Sequence, residues 1–551
     1  MPPVAPAQQG LTGRVPAVLR ARPLLPRVQC RAGSSGTIAD SLRKVDQLKE
    51  LASSVPMLAK ARVEPRRFTG DIGDRVGFVS LSDAAAGAAV LSVPEDVAIT
   101  HLDAEKHELV GQVASEQSQL VALTLWLLAE RAKGSSSSWH AFLSTLPTRT
   151  WSPLLWDTEQ LQTLLAGSPI QSEAIARKAA LLQQWQTLQD TVFCCDTQRF
   201  PASVFGQEQF VQAFSVVLAH AIYLPSASCF ALLPLASLLS RTGSETGCSL
   251  DYDPELKAVV LKSGKGLRSG VEIQLYDPRP NGELLLATGS VPTSNPADFL
   301  SWPAALLKAD RYFQMKTQIL EELGFSNEEQ FPVFADRFPQ QLLAYLRLSR
   351  VADPALFAKA EVKRALCGVQ PPCCCMLRPC IECWLHGLPV CAQLRACGST
   401  QLAVPACVSF EQDVVLSQLN EYEILQIMMG DCRERLQAYS YSLEEDIKLA
   451  QQRDLSPEEL LACKLRLSEK RIISSTMDAV RRRLAPVRGI PSKSGAMQDP
   501  NSDLKEIFDA IESIPTAPLK LVEGLMSWAR GEQDPDWGKK PSKQPKAPKP
   551  W

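Results

Sequence analysis

The stretch RFTGDIGDRVGFVSLSDAAAGAAVLSVPEDV, residues 67–97, decides the fold class. Short apolar runs alternate with Gly70, Gly73, Gly77 and Gly87, the pattern of strands joined by tight turns. Val76-Gly77-Phe78-Val79-Ser80 and Ala89-Val90-Leu91-Ser92-Val93 read as its two clearest strands. On the upstream side, Ile38, Leu42, Val45, Leu48 and Leu51 fall near one face of a helix. On the downstream side, from His107 to about Gln189, the period is helical again. Leu120–Arg131 reads as an amphipathic helix, Ser172–Leu188 as another, with Trp139, Phe142, Leu143, Leu146, Trp151, Leu154 and Trp156 as a bulky core between them. Phe205–His220 reads as a further helix, and short strands resume from Cys229 to Val291. A helical block set between two strand-rich blocks is the order of the first 300 residues.

From Leu306 onward the spacing predicts helices. Ser442-Leu443-Glu444-Glu445 and Ser456-Pro457-Glu458-Glu459 both fit a capping box, the second with Pro at the first helical position. In each, the Ser oxygen takes an orphan backbone N–H while the Glu reaches back. The long helix opened by Pro457 ends near Leu484 in Arg481-Arg482-Arg483, which suits the negative end of its dipole. The tail Lys539–Trp551 is rich in Pro and Lys and reads as disordered.

A chain of 551 residues exceeds one ordinary domain. Its 58 basic and 60 acidic residues leave a formal charge of −2, with no excess positive field for general nucleic-acid binding. No apolar run reaches 18 residues, so no segment reads as a membrane span. Residues 1–35 carry Arg14, Arg20, Arg22, Arg27 and Arg31, and no acid precedes Asp40. An acid-free, Arg-bearing leader has the composition of an organelle transit peptide, with Val28–Ala32 as the processing zone. Charge alone leaves plastid and mitochondrion open.

Several segments in this order resemble the Rubisco large-subunit lysine methyltransferases, a plastid SET-domain family. Trp139-His140-Ala141-Phe142-Leu143-Ser144-Thr145-Leu146-Pro147 and Ser152-Pro153-Leu154-Leu155-Trp156 resemble the segment after the family's first strand block. Gly77-Phe78-Val79-Ser80 stands at its glycine-bearing cofactor loop. Asn281-Gly282-Glu283-Leu284-Leu285-Leu286-Ala287-Thr288-Gly289 is similar to its Ser-Asn-Ala-Glu-Leu-Leu-x-Tyr-Gly segment, and Tyr439–Asp446 to the start of its closing helices. The resemblance covers roughly residues 65–360 and 410–485.

The resemblance implies an α+β fold. A β-rich SET domain at 65–300, with a helical insertion at about 105–208, precedes an all-α substrate-binding domain of the Rubisco LSMT type at 301–485. A transit peptide at 1–35 and an N-terminal helix at 36–64 lead in, and a partly disordered extension at 486–551 follows. It also implies a function: transfer of a methyl group from S-adenosylmethionine to a lysine of a protein in the chloroplast stroma, by a monomer. The chemistry is in-line transfer to a neutral ε-amine, whose rate comes mostly from positioning.

By the same resemblance, cofactor contacts fall to Gly77, Phe78, His220, Ser240 and Arg241. His220 lies near a cofactor-contacting Arg of the family. Ser240 and Arg241 stand where the family has Asn and His, and Arg75 where it has the first loop glycine. The catalytic Tyr position is Thr288, with Tyr276, Asn281 and Phe299 assigned to the substrate channel. A serine hydroxyl lacks the two-sided recognition of an Asn amide, and a threonine lacks the reach and ring wall of tyrosine. These substitutions imply an alternative: a catalytically degenerate SET-fold protein that binds a partner protein in the plastid.

Nine of the 16 cysteines lie in Cys367–Cys407. Cys380-x-x-Cys383 with Cys373 and His386 has the makings of a zinc site, but no second paired ligand set accompanies it. The tract, 363–409, interrupts the resemblance and reads better as an insertion, such as unspliced coding sequence, so no metal ligand is assigned. Gly70-x-x-Gly73-x-x-x-Gly77 lacks the spacing of a dinucleotide fingerprint. Gly264-Lys265-Gly266 reads as a turn, and His101 and His107 as surface residues at a helix start.

Overall fold

The computed structural model describes residues 42–50, 62–70, 72–322, 324–337, 339–351, 418–452 and 454–487. The leader, the cysteine tract and the C-terminal extension lie outside the described residues. Helices of eight or more residues are numbered here. The first described segment is α1, 42–50, where Leu48 and Val45 are buried. Two strands follow, β1 (Val63–Gly70) and β2 (Gly73–Ser80), paired antiparallel with Gly70 opposite Gly73 across the turn. Next come β3 (Ala89–Pro94) and β4 (Ile99–Thr100).

The inserted block is built on α2 (Gln119–Lys133), α3 (Ile170–Leu188) and α4 (Gln207–His220). Instead of showing a polar face, α2 is buried from Leu120 through Glu130. It lies inside a cluster with α3, α4 and the Phe193–Phe200–Phe205 rings, and a helix enclosed on all sides has no polar stripe to show. The cluster also takes in His107, contrary to the surface expectation. His107 Nε2 lies 3.0 Å from Glu130 Oε1, and its Nδ1 accepts the Leu109 N–H at 3.1 Å. Burial lowers the ring's pKa, which keeps it neutral.

After the insertion come β5 (Ile222–Leu224), β6 (Cys229–Leu232), β7 (Ser240–Thr242), β8 (Ser249–Asp253), β9 (Ala258–Lys262) and β10 (Gln274–Tyr276). They make small sheets ordered β4-β6-β5, β3-β9-β8 and β10-β7, so strands from before the insertion pair with strands from after it. The β7–β10 pair is parallel. These sheets close on one core containing Phe78, Leu91, Leu233, Leu261 and Ile273.

The strand expectation fails at the end of this block, where Asn281–Thr288 is a helix, α5. Glu283, Leu284, Leu285, Leu286 and Ala287 are good helix formers with no β-branched residue among them, and apolar continuity alone does not tell a buried strand from a buried helix turn. A second departure is the antiparallel pair of β11 (Phe299–Ala305) and β12 (Glu328–Phe334), its strands joined through a helix, inside the region read as helical. Glu329, Phe331 and Val333 are buried in alternation, a period-2 pattern too short to stand out between helices. The remainder is helical as expected: α6 (Phe313–Glu322), α7 (Gln340–Ser349), α8 (Gln418–Ala438), α9 (Leu443–Ala450) and α10 (Pro457–Val487). Both capping boxes form: Glu445 and Glu459 each accept from the Ser backbone N–H and donate their own N–H to its hydroxyl.

A mixed core joins the two halves. Trp156, Leu161 and Leu165 of the insertion, Leu285 and Leu286 of α5, and Leu461, Ala462 and Leu465 of α10 share one cluster. α10 thereby packs against the strand-rich half on one side and against α8 and the β11–β12 pair on the other. No helix among the described residues is long and apolar enough to cross a membrane.

Candidate active site

The parallel β7–β10 pair is the floor of the site. It pairs Ser240 with Gln274, Arg241 with Leu275 and Thr242 with Tyr276. β2 is laid beside this floor by backbone bonds from Ile273 N to Phe78 O (2.8 Å) and from Ser80 N to Val271 O (3.1 Å). Gly77 therefore faces Glu272, which lies two residues before β10.

Glu272 gathers two side chains through three hydrogen bonds. Arg75 meets it through two bonds, Nη1–Oε1 at 2.5 Å and Nη2–Oε2 at 3.0 Å, and Ser240 Oγ donates to Oε1 at 2.7 Å. The Arg75 guanidinium also lies over the Phe68 ring, 4.8 Å from its centroid. A side chain at Gly77 would press on this group: a Cβ would stand 2.9 Å from the Phe68 ring, 3.0 Å from Arg75 Nη1 and 3.0 Å from Glu272 Oε1. The opening that glycine provides is taken by the chain's own ion pair.

One strand-width away, Asp277 collects two arginines. Arg241 Nη1 donates to it at 3.2 Å, and Arg279 donates through Nε and Nη2 at 2.9 and 2.7 Å. Burial opposes ionisation of Asp277, but the two guanidinium groups hold its carboxyl well below the usual carboxylate range. Arg241 Nη2 continues to the Ala219 carbonyl at 3.0 Å, next to His220.

The expected site residues divide accordingly. Gly77, Ser240 and Arg241 come together through Glu272 and Asp277, as does the strand carrying Tyr276, whose ring is half-exposed. Phe78 is withdrawn: its side chain is 1% exposed in the β core, leaving only its backbone toward the neighbouring strand. His220 is adjacent but buried, its Nδ1 donating to the Ser237 carbonyl at 2.8 Å. Burial lowers it to about 4, so the ring is neutral at physiological pH and supplies no cation where an Arg was expected.

Asn281, Thr288 and Phe299 belong to a neighbouring layer. Asn281 is buried and braces the loop that follows α5, donating to Pro292 O (3.3 Å) and accepting from Asn295 Nδ2 (3.0 Å). Thr288 Oγ1 bonds Leu284 O at 2.6 Å and lies 2.7 Å from Ser290 Oγ, so its hydrogen bonds stay at its own helix end. Phe299 stacks on Phe334 at 5.5 Å across the β11–β12 pair, and Arg337 covers Phe334 at 3.6 Å. Sequence reading missed Glu272 and Asp277. Acids bracketing the run Ile273–Tyr276 were visible, and Arg279 lies two residues from Asp277, but Arg75, Ser240 and Arg241 are more than 30 residues from the acids they meet.

Beside the cleft, α10 clasps the insertion. Glu469 accepts from Ser168 Oγ at 2.7 Å and from Tyr439 OH at 2.9 Å, and Arg466 donates to Leu164 O at 2.5 Å. Asp446, fully buried, binds Arg466 at 2.6 Å and also binds Lys470. Gly167 makes the close approach possible: its φ is +82°, and a Cβ there would lie 2.3 Å from Ala438 O. Burial pushes Glu469 up to about 7 and the neighbouring Asp298, which accepts the Asn281 N–H at 2.8 Å, up to about 6. No group of three or more His, Cys, Asp or Glu among the described residues is placed to hold a metal.

With this geometry in hand, known proteins can be compared. Residues 307–473 match the family described as Rubisco LSMT substrate-binding. The chloroplastic Rubisco large-subunit N-methyltransferase of Nicotiana tabacum is 24% identical, over 75% of this chain and 77% of its own length. The actin-histidine N-methyltransferase of Danio rerio is also 24% identical, over 81% of this chain and 70% of its own. A solved structure of Rubisco LSMT bound to AdoMet superposes with a TM-score of 0.56 at 20% identity, covering 84% of this chain and 99% of that one. A strand-rich half closed around a helical insertion is the fold of that Rubisco LSMT structure, and the helical domain carries the match to the Rubisco LSMT substrate-binding family.

Proposed function

We propose that the protein is an S-adenosylmethionine-dependent protein N-methyltransferase of the chloroplast that acts on a lysine. The observation that supports it most is that Gly77 and Ser240 border the Glu272 carboxylate before β10 while Arg241, the residue after Ser240, pairs with Asp277 after it. The donor set suits an α-amino-acid ligand. Arg241 would hold its carboxylate, Glu272 its ammonium group, and the Gly77 backbone would approach it closely. S-adenosylmethionine supplies an electrophilic methyl on a sulfonium. The chain's part is to orient and desolvate: the buried clasp keeps α10 and the helical domain in register with α5, so that a protein presented by that domain meets the cleft in a fixed pose. The chloroplast assignment draws on the acid-free leader and on the chloroplastic relative.

A second reading keeps the fold without the transfer. It is favoured by Thr288, which stands at the family's Tyr position and directs its hydroxyl to Leu284 and Ser290. The helical domain would then serve to hold a partner protein. Calorimetric titration of the full chain with S-adenosylmethionine separates the two. Binding in the micromolar range with methyl transfer to a protein acceptor supports the enzyme; no heat at millimolar cofactor sinks it. A gain of transfer in Thr288→Tyr would trace the weakness to that one position.

A further inference from the structure

We propose that the Arg75–Glu272 pair is a built-in counter-ligand that latches the cleft, and that Arg75 must leave Glu272 before a cofactor can enter. The proposal rests on the reading of this cleft as an S-adenosylmethionine site. Its grounds are steric and electrostatic. The space kept open by Gly77 is bounded by Phe68, Arg75 Nη1 and Glu272 Oε1, each within 3.0 Å of a glycine Cβ position, so a ligand approaching that backbone meets the guanidinium first. Arg75 is 42% exposed and Glu272 18% exposed, which places the cation on the solvent side and the carboxylate inside. Ser240 donates to the same Oε1 and fixes the inner partner.

The arrangement has the asymmetry of a latch: one arm, held to a ring face, that can rotate into water, and one anchor that cannot. A guanidinium on Glu272 also competes with any cation for that carboxylate. S-adenosylmethionine carries a sulfonium and an ammonium, whereas S-adenosylhomocysteine keeps only the ammonium. Opening the latch therefore favours the first ligand over the second.

The test measures dissociation constants of both ligands for the full chain and for Arg75→Ala, Arg75→Lys, Glu272→Gln and the double exchange Arg75→Glu with Glu272→Arg. Thermal unfolding of each variant checks that it is folded. Arg75→Ala is expected to bind S-adenosylmethionine at least about tenfold more tightly and to gain less for S-adenosylhomocysteine. Arg75→Lys, which keeps the charge but loses the two-pronged contact, should fall between. Glu272→Gln should weaken S-adenosylmethionine relative to S-adenosylhomocysteine, since it leaves an unpaired cation at the mouth. The double exchange rebuilds the pair and should return affinity to within about threefold of the starting protein. Equal, measurable binding in the starting protein and Arg75→Ala overturns the latch and leaves the cofactor reading standing. Weaker binding in Arg75→Ala also overturns it, by making Arg75 a ligand contact. No binding in any variant at millimolar cofactor overturns the cofactor reading and the latch with it.

Discussion

Two of the arginine–carboxylate assemblies among the described residues share their chemistry and differ in depth. In the clasp, Asp446 is fully buried with Arg466 and Lys470, and their side chains are at most 3% exposed. In the cleft, Arg75 is 42% exposed against Glu272. A buried pair ties up its partners: removing one leaves a charge that neither water nor protein compensates. A pair at the surface exchanges its partner for water at little cost. The clasp is thus the part of the fold that cannot change singly, and the cleft is the part that can be retuned.

The contrast predicts a graded set of effects. Asp446→Asn should cost the most, about 3–5 kcal/mol, because it strands Arg466 and Lys470 in the interior. Urea unfolding of the full chain measures it, and a loss under about 1 kcal/mol would remove the distinction between the two assemblies. The next effect is pH-dependent. Folding raises Glu469 from the ordinary 4.5 to about 7, so its folded form holds the proton more tightly than the unfolded chain does. Its contribution is complete below about 4.5 and is lost as pH rises through about 7. Asp298, raised to about 6, acts in the same direction. Asp277 acts in the opposite direction, stabilising above the ordinary 3.8 and losing that contribution as pH falls. The charged groups facing Glu469 are Asp298 and Arg466. Glu469→Gln should therefore flatten the fall in unfolding free energy between pH 4.5 and 7 by as much as roughly 3 kcal/mol. An unchanged slope would assign it elsewhere.

Gly167→Ala comes third, at about 2 kcal/mol, since the position combines a left-handed φ with no room against Ala438. A thermal midpoint unchanged from the starting protein would show that the 164–168 loop yields instead. Smallest is Arg75→Ala, under about 1 kcal/mol of stability, because its pair is half-exposed. If it destabilised as much as Asp446→Asn, the cleft pair would be structural and not free to open.

Local rules were legible where they act within a few residues. The capping boxes at Ser442 and Ser456, the β1–β2 strands around Gly70 and Gly73, and the helices ending at Leu188 and His220 lie where spacing placed them. The rules failed where burial overrides pattern. α2 lost its expected polar face by being enclosed, His107 was drawn inside by Glu130, and Phe78 was claimed by the β core. The run to Val291 was read as strand because continuous apolarity does not distinguish a buried strand from the short helix Asn281–Thr288.

The sequence by itself determined the order of blocks and the glycine-punctuated hairpin, because each is written in neighbouring positions. Only the tertiary structure decided which distant side chains meet. Arg75 and Glu272 are separated by 197 positions, and Ser168 and Glu469 by 301, so neither pairing leaves a local trace. The opening stretch supplied Gly77 as a place where backbone could be approached. The fold shows that the Phe68 ring and the chain's own Arg75–Glu272 pair crowd that place, brought together because β2 lies against the segment that enters β10.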